Sequence, residues 1–128
     1  MKFLILPLFL ILLSCTDDRP HNYSKEEIFM MAREGDPDVE VIVPKSISES
    51  LVNCSDYKPA CRYGFRVKIK RIEMVAIFYE NQDNALKAAK RIRGYVARNW
   101  VFDEVRGEPI LERFVKKYFD AHDTESSK

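Results

Sequence analysis

From Tyr63 to Ile69 apolar and polar residues alternate, with Phe65, Val67 and Ile69 on one side and Arg66, Lys68 and Lys70 on the other. A period of two marks a strand with one buried and one solvated face. Met74–Tyr79 is apolar on both sides, as in a strand covered on both faces. The period then lengthens: Ala85, Ala89, Ile92 and Val96, flanked by Leu86 and Tyr95, predict a helix over 81–99 that Asn81 caps. Trp100–Val105 reads as a further strand. Upstream, Ser24-Lys25-Glu26-Glu27 is a capping box opening a helix with Ile28, Phe29, Met31 and Ala32 on its apolar side. Gly35 and Pro37 stop it. Val39–Val43 is β-branched and bounded by turn residues, hence a strand, and Ser46–Asn53 predicts a brief helix. Pro109 starts a last helix, with Ile110, Leu111, Phe114, Val115, Tyr118 and Phe119 on a wide apolar stripe.

The predicted order is helix, then β-α-β-β-α-β, then helix. The fold class expected is therefore α+β: a ferredoxin-like β-α-β-β-α-β sandwich with an extra helix at each end. In that topology the first and third strands are central, and Val39–Val43 and Met74–Tyr79 are the apolar ones. Residues 24–121 make one domain, and the polar residues 122–128 are expected to fray.

The first fifteen residues carry an address. Lys2 precedes the apolar run Phe3–Leu13, too short to span a bilayer, which takes about 20 residues. It reads as a secretory signal peptide over 1–14. Its end, Leu12-Leu13-Ser14-Cys15, resembles the lipobox of bacterial lipoprotein precursors. The resemblance implies cleavage before Cys15, acylation of that cysteine, and a protein held to a membrane of the bacterial cell envelope. Thr16 in the next position implies the outer membrane, with the domain facing the periplasm, or else the exterior. Residues 15–23 would then be the lipidated cysteine and a polar tether.

Export changes the reading of the other two cysteines, Cys54 and Cys61. In an oxidising compartment they are expected to form a disulfide. The spacing is not C-x-x-C, and no His or further Cys stands near enough to complete a zinc site. Both histidines, His21 and His122, fall in the tether and the tail, which argues against His-based catalysis. No phosphate loop, calcium loop or nucleophile elbow occurs. No enzyme activity, cofactor or metal is expected.

Lys+Arg number 21 and Asp+Glu 20, equal once Lys2 leaves with the signal. The balance hides an asymmetry, because residues 62–98 hold ten basic residues against Glu73, Glu80 and Asp83. Arg66, Lys68 and Lys70 on the strand, with Lys87, Lys90 and Arg91 on the helix, form a candidate patch for an anionic envelope polymer or an acidic envelope protein. The competing reading is a solvated face paired with the acidic flanks. Near-zero net charge and export argue against nucleic acid.

Phe65–Val105 also resembles the second half of SPOR peptidoglycan-binding domains: strand, strand, acidic-capped Ala-rich helix, Gly94-Tyr95 near the helix end, strand. That resemblance implies a peptidoglycan partner. The family's strand-borne aromatic-glycine pattern is absent, with Lys68-Ile69-Lys70 in its place, so no binding residue carries over.

Overall fold

A computed structural model describes residues 19–46 and 51–125 of the chain. It is a mixed α+β fold with one six-stranded antiparallel sheet and three α-helices. Helix α1 spans Lys25–Gly35, and Ser24 and Glu27 exchange the two bonds of a capping box at its start. Strand β1 is Glu40–Val41, and a single 3-10 turn covers Cys54–Asp56. Strands β2 (Tyr63–Ile69) and β3 (Ile72–Phe78) form a hairpin in full register, Tyr63 opposite Phe78 and Ile69 opposite Ile72. Its two turn residues, Lys70 and Arg71, both have positive φ, 52° and 70°, which matches the strands' right-handed twist.

Helix α2 runs Gln82–Ile92. Asn81 caps it by accepting from the Asp83 and Asn84 amides, and Arg93 at φ 57° ends it. Strand β4 (Tyr95–Ala97) follows at once and turns through Arg98-Asn99 into β5 (Trp100–Asp103). The helix predicted over 81–99 is thus a shorter helix plus a strand. Gly94 marks the change, since a Cβ there would stand 3.0 Å from the Phe102 carbonyl oxygen. Pro109–Tyr118 is α3, and His122–Asp123 is β6, paired with β4. The tail expected to fray from His122 is therefore partly in the sheet. Asp123 holds it by binding Arg106.

The strand order is β1-β2-β3-β5-β4-β6. β3 is central, as its two apolar faces predicted. The pairings otherwise differ from a ferredoxin-like sheet. β1 lies at an edge beside β2, and the antiparallel β4–β5 hairpin stands where the first strand was expected. Half of the brief helix expected over 46–53 falls on residues outside those described, and Leu51 and Val52 form bends.

Two apolar layers result. On one face α1 and α3 cover Val67, Ile69, Met74, Ala76, Trp100 and Phe102. Gly35 lets them meet, because a Cβ there would come within 2.5 Å of the Phe114 and Tyr118 rings. On the other face α2 places Ala85, Ala88 and Ala89 over Val75, Ile77 and Val101, with Val52, Cys54 and Tyr57 alongside. The small alanines allow close packing of helix on strand.

Candidate functional site

Cys15, the lipidation candidate, lies outside the described residues. Cys54 and Cys61 form a disulfide with their Cα atoms 4.8 Å apart, inside the usual range. Two phenols fasten the loop they close. Tyr79 Oη donates to the Pro59 carbonyl at 2.7 Å, and Tyr57 Oη to Asp103 Oδ2 at 2.8 Å. Burial pushes the Tyr79 phenol up to about 12. Burial, and then the Asp103 carboxylate, raise that of Tyr57 well above its ordinary value.

The six basic candidates separate into two groups. On β2, Arg66 is engaged at once: it bonds Glu104 at 2.6 Å and approaches Glu73 at 3.8 Å, with a quarter of its side chain exposed. Lys70 occupies the hairpin turn, where its backbone amide donates to Asp36 Oδ2 at 2.8 Å. Asp36 is buried, and its other oxygen accepts from the Asp38 amide. Lys68 and Lys70 line a groove shared with Asp36, Asp38 and Glu40, so their charge is locally balanced. On α2 the picture differs. Lys87, Lys90 and Arg91 are exposed on the side opposite the alanines and make no ion pair among the described residues. Their spacing sets them together on one surface. α2 packs on β4 and β5, and β3 separates β5 from β2. The candidates form two surfaces, and only the helical one has unbalanced charge.

A second constellation had no signal in the sequence reading. The polar residues 19–23, expected to be a tether, are bonded to one end of the domain. Arg19 pairs with Asp83 at 2.8 Å. Gln82 Nε2 donates to the Pro20 carbonyl at 2.6 Å and to Asn22 Oδ1 at 3.0 Å, and Asn22 Nδ2 donates to the Glu80 carbonyl. Arg98 donates to the His21 carbonyl at 2.9 Å, and its guanidinium lies 4.0 Å from the centroid of the Tyr23 ring. Beneath these, fully buried Asn99 accepts from the Tyr23 amide at 2.8 Å and donates to the Tyr79 and Tyr23 carbonyls. Trp100 Nε1 donates to the same Tyr23 carbonyl at 2.9 Å. A polar-rimmed hollow of about 430 Å³ lies alongside, floored by Leu86, Val96 and Phe119. Arg98-Asn99 matches none of the usual turn dipeptides, so the turn too gave no signal.

At this same end Phe29, Phe65, Tyr63 and Phe78 form a row of near-parallel rings, each stacked on the next at 4.6–6.5 Å. Trp100 meets three of them edge-on or tilted from beneath. Tyr63 is 37% exposed.

Among the described residues no three His, Cys, Asp or Glu side chains are grouped to hold a metal ion, and no helix is long and apolar enough to cross a membrane. Comparison of the chain with protein-family models, with curated proteins and with solved structures gives no match.

Proposed function

We propose that this chain is a lipid-anchored protein of the bacterial cell envelope. Its domain is a non-enzymatic binding or structural module, and its working surface is the outer side of α2. The observation that carries the binding surface is the exposed trio Lys87, Lys90 and Arg91, unengaged by any acid among the described residues. Arg66, by contrast, is already neutralised. Such a surface fits an acidic protein or an anionic envelope polymer. The anchor rests on the lipobox resemblance at Leu12–Cys15, and the Cys54–Cys61 disulfide agrees with an exported protein.

Two measurements test this. Mass spectrometry of the chain extracted from membranes should give a product beginning at Cys15 with acyl mass added. An unmodified chain cleaved elsewhere would refute the anchor. For the surface, the soluble domain is offered to purified peptidoglycan sacculi with and without attached anionic polymers. Pelleting abolished by Lys87→Glu plus Lys90→Glu, but not by Lys68→Glu plus Lys70→Glu, identifies the helix as the binding surface and a polymer as the partner. Pelleting that survives both pairs refutes the charged surface and favours a SPOR-like glycan mode. No pelleting leaves an acidic protein as the partner and excludes the polymer.

A further inference from the structure

We infer that residues 19–23 are a fixed post and not a free leash, and that they set which end of the domain faces the anchoring bilayer. The inference rests on the proposed acylation of Cys15. Arg19, Pro20, His21, Asn22 and Tyr23 are each bonded to the start of α2, the end of β3 or the β4–β5 turn. Only four residue steps separate Cys15 from Arg19, a reach of at most about 14 Å.

The elements define two ends. α1 and α2 both begin at the post and run away from it: Asn81 follows β3 beside the post, whereas Asp36 at the close of α1 meets the β2–β3 turn. Between Tyr79 and Arg71 lie about eight residues of strand and turn, or roughly 25 Å. A 14 Å reach cannot bring the Lys70-Arg71 turn to the headgroups with the domain inverted. The post end faces the bilayer instead. Its surface suits that place: Tyr63 offers a partly exposed ring with a polar tip, the side-chain type favoured at membrane–water boundaries, while Arg62 is paired with Glu80 and adds no free charge. The last turn of α2, with Lys90 and Arg91, then stands away from the anchoring membrane. Its partner is met across the aqueous compartment, not among the lipids that hold the protein.

The test uses the full acylated chain reconstituted in vesicles of phosphatidylethanolamine and phosphatidylglycerol. A fluorophore is placed by Glu80→Cys at the post end or Arg71→Cys at the far end, both exposed positions, and quenched by a headgroup-linked acceptor. Quenching at residue 80 should exceed that at residue 71 by roughly twofold or more, given a separation near 25 Å. Releasing the post with Gln82→Ala plus Arg98→Ala should narrow the difference. Equal quenching at both sites, or a difference indifferent to the double variant, overturns the inference. The mass of the same sample separates the two claims. An unacylated Cys15 refutes the anchor itself, while an acylated chain with equal quenching refutes only the post.

Discussion

Replacing Asn99 with Ala tests how firmly the amino-terminal segment belongs to the domain. The side chain is fully buried and makes three bonds, at 2.8, 3.0 and 3.3 Å. Alanine removes the acceptor for the Tyr23 amide and a donor to the Tyr79 carbonyl, while the Tyr23 carbonyl keeps Trp100 Nε1. Each buried polar group left without a partner costs about 1–3 kcal/mol. Two of them give roughly 2–6 kcal/mol, toward the lower figure because Tyr23 is half-buried and water can reach its amide. That is a large share of a total stability of about 5–15 kcal/mol. Urea unfolding of the chain from Thr16 onward, followed by the fluorescence of its single tryptophan, measures the loss directly. Asn99→Asp separates hydrogen bonding from volume. An ionised carboxylate can only accept and would face two carbonyl oxygens, so this variant should be the weaker at pH 7. Burial raises the pKa of such a group in the folded state, so stability is lost as pH rises. It should recover in part near pH 4, where the protonated acid can donate. A loss below about 0.5 kcal/mol for Asn99→Ala, the scale of an ordinary surface change, would refute the reasoning.

Reduction of Cys54–Cys61 should cost about 2.5 kcal/mol for so short a loop, lowering the melting temperature while the domain stays folded at room temperature; a melting point indifferent to reductant would defeat this. Gly35→Ala should destabilise by about 1–3 kcal/mol, because the new methyl meets the Phe114 and Tyr118 rings at 2.5 Å; unchanged urea unfolding would show that the helices shift freely. Tyr79 and Tyr95, both buried, have phenols raised to about 12 against about 10 in the unfolded chain. Protons then leave the unfolded state first, so stability is whole below pH 10 and falls between pH 10 and 12. Tyr79→Phe should flatten part of that slope, and stability level from pH 9 to 11.5 would contradict it.

The elements with strong local chemistry were legible. Ser24 and Glu27 form the predicted capping box, Pro109 opens the last helix, and Phe65, Val67 and Ile69 face the core as their alternation required. Misreading entered where one pattern satisfied two periods. Val96 lies four residues beyond Ile92 and seven beyond Ala89, so it extends the helical stripe. It is nevertheless the middle of a strand in which Tyr95, Val96 and Ala97 are all buried. Only the neighbouring β5 decides between these, and its pairing is tertiary information. The same error hid the β4–β5 hairpin and led to a ferredoxin-like order. The pairing of Arg66 was hidden for a related reason. Nothing local indicates that Glu104, thirty-eight residues on, would reach Arg66. The clamp on residues 19–23 was illegible because polar side chains bonded to backbone carbonyls leave no periodic trace.

Both margins of the sheet are very short, Glu40–Val41 at one side and His122–Asp123 at the other. A protein fastened by lipid diffuses in two dimensions, where copies collide far more often than the same number would in bulk. Under that crowding a long free strand would invite its neighbour to zip on, rung by rung, toward a fibre. Margins of two residues offer too few rungs for such growth to start, so under the proposed anchoring this sheet would tolerate a density in the membrane plane that a longer-edged one would not.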